Sequence, residues 1–115
     1  MATVTLGDKQ RAFVRMLADL IMFAYESGYE LTQGDGFRDP RTNGKIGEKK
    51  GYGHPNSNHK RRLAQDYNLF IDRVWITSGE NPAWRVLHDY WESIGGAPMI
   101  EGDPNHFSVE WNGQR

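Results

Sequence analysis

The chain has 115 residues, a formal net charge of −1 and no cysteine, which confines it to one domain around a single modest core. Disulfides and thiolate ligands are thereby excluded, so any metal must bind through imidazole and carboxylate groups. Hydrophobic residues make up 37% and charged residues 25%, as expected of a soluble globular fold and not of a low-complexity chain.

In chain order, the N-terminal MATVTLGDKQ lacks a basic stretch followed by an apolar core. This predicts synthesis in the cytoplasm without a secretory signal. The longest apolar stretch, Leu17 to Tyr25, is interrupted by Asp19 and is too short to span a bilayer. Phe13, Leu17, Leu20, Ile21 and Ala24 recur at helical spacing and predict an amphipathic helix over about residues 8–27. Thr5 or Asp8 can cap its start, and Gly28 suits a left-handed stop. Tyr29 to Thr32 alternates weakly, as a short strand does. Residues 33–58 are rich in Gly, Asn, Pro and Lys and read as a long loop, a length that in so small a domain points to a nearby site or to mobility.

Leu63 to Ile71 has the composition of a core strand, and Val74 to Thr77 adds a short extended segment. Asn81-Pro82 is a helix start, with Asn as cap and Pro at the first helical position. Trp84, Leu87, Trp91 and Ile94 then share one face until Gly95-Gly96 ends the helix. Phe107, Val109 and Trp111 alternate with polar residues, which predicts a half-buried strand. The whole is an α+β pattern: one domain over residues 1–115, with helices packed on a small antiparallel sheet.

Charge is segregated along this chain. Residues 38–62 carry eight of the 14 Lys and Arg residues, whereas from residue 89 onward five acids face one base, Arg115. A basic loop facing an acidic segment can steer an anionic partner, and a solvated loop without a partner is the plainer reading.

Chemistry is concentrated in two segments, Ser57-Asn58-His59 through Ala64-Gln65-Asp66 and, later, Asp103-Pro104-Asn105-His106. Two imidazoles and one carboxylate make a three-ligand set suited to a catalytic zinc that keeps a fourth position open. Strands of one sheet can bring His59, Asp66 and His106 together, although the spacing equally allows structural or exposed histidines. His54 reads as loop or substrate rim, and His88 as a structural histidine beside the apolar stripe of its helix. Trp75, Trp84, Trp91 and Trp111 read first as core, with a place at the cleft rim open to one of them. Glu101 rivals Asp103 at longer spacing to His106, and Asp103 also fits a simple turn cap before Pro104.

These segments resemble the zinc D-alanyl-D-alanine carboxypeptidase family, which includes phage L-alanyl-D-glutamate endolysins. The likeness rests on Ser57-x-His59, Ala64-x-Asp66 and Asp103-x-x-His106, with SNHKRRLAQDYNLF, HDYWESIGG and DPNHFSVEW similar to a phage subgroup. It runs from about Phe13 to Trp111. Many members carry Gly where this chain has Arg62, and Ala97-Pro98-Met99-Ile100 replaces a Trp-Gly-Gly stretch. The resemblance implies a hedgehog/DD-peptidase-like fold, with Zn2+ held by His59, Asp66 and His106 and with Asp103 as the catalytic carboxylate. It places Arg38, within Gly36-Phe37-Arg38, on a substrate carboxylate or on the scissile carbonyl, and Ser57 on the substrate backbone. The implied activity is hydrolysis of the peptidoglycan stem peptide, either between L-Ala and D-Glu or at D-Ala-D-Ala. A lysis enzyme of this kind is a monomer that needs neither nucleic acid nor membrane insertion, and it acts on the wall once the membrane is opened. A zinc domain that binds wall without cleaving it is the alternative. A nucleic-acid binder using Lys45 to Arg62 ranks below both, because the run has no organised aromatic platform.

Overall fold

The computed structural model describes residues 3–37, 46–47 and 57–115. Most of the loop expected at 33–58, with Arg38 and His54, lies outside the described residues.

The first helix, α1 (Leu6–Glu26), begins where both cap candidates cooperate. Thr5 Oγ1 accepts from the Asp8 backbone N–H at 3.1 Å, and the Asp8 carboxylate accepts from the Thr5 N–H at 3.0 Å, so two otherwise orphaned donors are satisfied. At the far end Gly28 takes φ +86°, a conformation in which a Cβ would be strained, and the chain turns directly into β1 (Tyr29–Gln33).

Strand β2 (Ala64–Ile71) is the spine of a four-stranded antiparallel sheet with β1, β3 (Val74–Trp75) and β4 (His106–Ser108). Strand β1 pairs along one edge of β2, from Tyr29 opposite Ile71 to Gln33 opposite Tyr67. The other edge is shared. Strand β4 takes Ala64 to Asp66, and β3 takes Phe70 and Ile71. The β2–β3 hairpin turns through Asp72 and Arg73, both at positive φ (51° and 68°), as a two-residue hairpin turn matching the strand twist requires.

The second helix, α2 (Pro82–Ser93), starts with the Asn81 side chain accepting from the Ala83 N–H at 2.9 Å. Its inner face buries Trp84, Leu87 and Trp91 against α1 and β4. Phe13 and Phe107 meet the Trp91 ring edge-on at centroid distances of 5.8 and 5.9 Å, the geometry that the aromatic quadrupole favours. The polar end of Trp91 is also satisfied, its Nε1–H donating to the Ser108 carbonyl at 2.8 Å.

The α+β architecture matches the expectation from the sequence, and three local readings are corrected. Ile21 is 37% exposed, because the buried stripe of α1 runs through Phe13, Leu20 and Ala24 and leaves Ile21 at its margin. Trp75 is not core: it stands 57% exposed on the short β3. The last strand covers only His106–Ser108, and all three residues are buried, since one face meets the helices and the other meets the 3-10 turn at Asn58–Arg61. Val109 remains attached to the sheet end, its N–H donating to the Leu63 carbonyl at 3.2 Å.

Gly96 closes α2 by donating its N–H to the Trp91 carbonyl at 2.8 Å, which presses its Cα against the indole. A Cβ there would fall within the van der Waals envelope of Trp91 Cδ1 and Nε1. The indole is fully buried and hydrogen-bonded, so it has nowhere to move. Gly96→Ala is therefore expected to destabilise the fold by about 1–3 kcal/mol or more, read as a lower midpoint in urea unfolding; an unchanged midpoint would contradict this packing.

Candidate metal centre

The pairing of β2 with β4 explains how two chemically active side chains meet. Asp66 is directly opposite His106, and directly opposed residues of an antiparallel pair project on the same face with close Cβ atoms. The next pair, Gln65 with Phe107, faces the other way and sends Phe107 into the core. Alternation along a three-residue strand thus gives one residue to the site and its neighbour to the hydrophobic interior.

His59 arrives from the 3-10 turn that precedes β2. Ser57 caps this turn, its hydroxyl accepting from the His59 N–H at 3.2 Å. Asn58 braces it, donating through Nδ2 to the carbonyls of Val109 (2.8 Å) and Gln114 (2.9 Å). Arg62 ends the turn in the left-handed region, at φ 58° and ψ 36°, a conformation glycine adopts at least cost. That is a physical reason for a Gly to be acceptable at this position. The Arg62 guanidinium lies 4.1 Å from the centre of the Phe37 ring.

Asp66 Oδ1 stands 3.2 Å from His59 Nε2 and 3.4 Å from His106 Nδ1. One donor atom from each of the three residues fits within 4.8 Å of the others, so the group is able to hold a metal ion. The Nδ1 of His59 is 2.8 Å from the Gly36 carbonyl. A carbonyl only accepts, so Nδ1 carries a proton, and in the neutral ring the Nε2 lone pair faces the carboxylate. Two acceptors at that separation repel unless a cation lies between them, either a proton or a metal. In keeping with this, His59 Nε2, Asp66 Oδ1 and His106 Nε2 are buried with no aligned hydrogen bond among the described residues. Burial opposes the charge on Asp66, but His106 and His59 outweigh it and hold the carboxyl at about 2 when their rings carry a proton toward it; a bound cation takes that place when His59 is neutral. The donor set is therefore preformed, anionic at its centre and fitted to a cation.

The backbone around Asp66 is fixed as firmly as its side chain. Past the end of β1, the Gly34 N–H donates to the Asp66 carbonyl and the Asp66 N–H to the Asp35 carbonyl, each at 2.8 Å. A Cβ on Gly34 would come within 3.1 Å of Asp66 Cβ, so this close approach favours glycine. The Gly36 carbonyl and the Asn58 brace are contributions that sequence reasoning missed; each acts through a contact distant along the chain.

Asp103 stands at the rim, its Oδ2 3.9 Å from His106 Nδ1 and its side chain half exposed. Glu101 is exposed on the turn before it. Ser57 is buried as the cap of the His59 turn. Arg38 lies outside the described residues. In the basic run, Lys60 is only 6% exposed, so Lys60 to Arg62 does not form a uniformly solvated face.

His88 is separate from the three ligands. It is 1% exposed, stacks on Phe107 with ring centroids 4.2 Å apart, and donates from Nε2 to the Pro104 carbonyl at 2.7 Å. It holds the segment between Asp103 and His106 from beneath, consistent with the structural role expected of it. Burial lowers its pKa from the ordinary 6.5, which the bond to Pro104 only partly offsets.

No protein-family model matches this chain, and no curated protein matches it.

If the three residues hold a metal ion, with zinc as the probe, His59→Ala and His106→Ala are expected to lose zinc binding in equilibrium dialysis, whereas His88→Ala is expected to retain it when zinc is in excess. Retention of stoichiometric zinc by all three variants would overturn the assignment. Because protons compete for the same imidazoles, zinc affinity is expected to fall on acidification.

A second expectation concerns His88 in the metal-free protein. Its folded pKa is depressed, so the unfolded chain binds the proton more readily and stability falls as pH drops through about 6.5. Urea unfolding at a series of pH values is expected to show a shallower acid loss for His88→Gln than for the parent. Equal slopes would contradict the neutral buried ring.

Proposed function

We propose that this chain is a zinc-dependent peptidase acting on the stem peptide of bacterial peptidoglycan. The single observation that supports this reading is the convergence of His59, Asp66 and His106 within 4.8 Å, beside a half-exposed Asp103 carboxylate. Those are the residues that the resemblance to zinc D-alanyl-D-alanine carboxypeptidases and phage endolysins assigns as ligands and catalytic carboxylate. The orphaned nitrogens and carboxylate oxygen fit zinc in donor type and number.

In this reading His59, Asp66 and His106 hold the ion, and Gly36 and the Asn58 brace keep His59 aimed at it. Bound zinc supplies Lewis acidity toward a peptide carbonyl and toward water. Asp103 is close enough to the ligands to accept a proton from the attacking water and open enough to return it to the leaving amine. Ser57, which the resemblance sets on the substrate backbone, is buried and keeps the His59 turn in place. Arg38, as a planar cation, suits the carboxylate-rich stem peptide. The protein acts in this reading as a monomer on the wall after the membrane is opened. Among the described residues no helix is long and apolar enough to cross a membrane.

Digestion of purified cell walls, followed by mass spectrometry of the released fragments, tests the proposal. Turnover is expected to vanish on chelation and to return with zinc. Asp103→Asn is expected to lose about 10²–10⁴-fold in rate while keeping stoichiometric zinc. Zinc binding without any released fragment would replace this reading with a non-catalytic wall-binding domain. The fragment masses also distinguish cleavage between L-Ala and D-Glu from removal of terminal D-Ala.

A further inference from the structure

A second concavity lies where the edge of β2 passes from one partner to another. Strand β4 ends its pairing at Asp66 and β3 begins at Phe70. Between them, beside Tyr67 and Asn68, opens a pocket of about 390 Å³, within the ~300–1,000 Å³ common for small-molecule sites. The exposed Trp75 stands on one side of it and the buried Trp84, from the first turn of α2, lines it as well.

The lining has a definite chemical character. Trp75 and Trp84 supply aromatic surface, Asn68 and Asn105 supply amides, and Thr77 supplies a hydroxyl. The Nε1–H of Trp84 is buried and meets no acceptor among the described residues. No lining residue is charged at neutral pH; burial pushes the Tyr67 phenol up to about 12. Carboxylates and phosphates therefore find no counter-charge here. Asn68 already donates through Nδ2 to Thr32 Oγ1 at 3.2 Å, but a purely apolar side chain would still leave the Asn105 amide, the Thr77 hydroxyl and the Trp84 indole N–H covered without a new partner, which is costly. A ligand that combines a flat C–H face with uncharged hydroxyl and amide groups satisfies both halves of this lining. A pyranose ring bearing an acetamido group has that make-up: its face stacks on indole and its amide pairs with an Asn side chain.

We infer that the pocket between β3 and β4 is a subsite for an uncharged N-acetylated amino sugar, seated on Trp75. It is tied to the metal centre through the backbone. Tyr67 follows Asp66, Asn105 precedes His106, and the Tyr67 N–H donates to the Asn105 carbonyl at 3.0 Å. A glycan held there lies next to the two strands that carry Asp66 and His106. Its identification as the glycan of the cell wall rests on the proposed peptidase reading; the sugar chemistry does not.

Titration of the full chain with tri-N-acetylchitotriose, followed by tryptophan fluorescence and by the indole N–H signals in NMR, tests the subsite without any turnover. Saturable binding that shifts the Trp75 and Trp84 indole signals is expected. Trp75→Ala is expected to weaken it about tenfold or more, and Trp75→Phe less, since the stacking face is partly kept. Trp75 is largely exposed, so these variants are expected to unfold like the parent. Maltotriose, which has the rings and no acetamido groups, is expected to bind more weakly. The inference is overturned if the parent shows no saturable binding, if Trp75→Ala binds equally well, or if maltotriose matches the chitin oligomer. With intact wall as substrate, Trp75→Ala is expected to raise KM more than it lowers kcat. A parent that binds the sugar and cleaves nothing would refute the peptidase reading and leave the sugar subsite standing.

Discussion

The Asp66 carboxylate, withdrawn from water between two imidazoles, is the constraint around which the rest of the molecule is arranged. A carboxylate is expensive to desolvate unless positive charge or strong donors compensate. Here one imidazole has its Nδ1 proton committed to the Gly36 carbonyl, so in its neutral form it turns a lone pair toward the carboxylate. The cluster is thus electrostatically incomplete without a cation. Its backbone neighbours at Gly34 and Asp35, and the Asn58 brace, hold that incomplete arrangement in place.

The sheet makes this possible with very little chain. Strand β2 is continuous, so its two edges can be used differently: β1 runs along one, while β3 and β4 divide the other. The short β4 has two tasks because successive residues of a strand face opposite ways. His106 completes the donor set, and Phe107 anchors the strand between Trp91, Tyr67 and His88. Burial of Phe107 therefore supports the position of His106 one residue away. The division of the edge also leaves the seam beside Tyr67 and Asn68, where Trp75 remains outside the core.

Much of this was legible in the residue pattern. Helical spacing, the Thr5 and Asn81 caps and the glycines at residues 28 and 95 marked both helices, because capping and handedness are local properties. The types of the candidate ligands were equally plain, since a chain without cysteine has only imidazole and carboxylate to offer. The residue pattern points Ile21 inward and groups Trp75 with the core tryptophans, and the fold exposes both. Both differences have one source: apolar character shows what can be buried, but the partners that cover it come from elsewhere in the fold. The roles of Gly36 and Asn58 are hidden for the same reason, as each rests on a hydrogen bond between residues 23 to 56 positions apart; the structural role of His88 is legible, and only its partner, the Pro104 carbonyl, is not.

The sequence by itself determined the elements, their caps and the chemical identities available to a metal centre, because those follow from propensity, periodicity and side-chain type within a few neighbouring residues. Only the tertiary structure decided that Asp66 stands opposite His106, that the His59 turn folds back onto them, and that Trp75 borders an open seam. Strand register and edge sharing are set by the packing of the whole sheet against α1 and α2, and no local stretch of the chain carries that information.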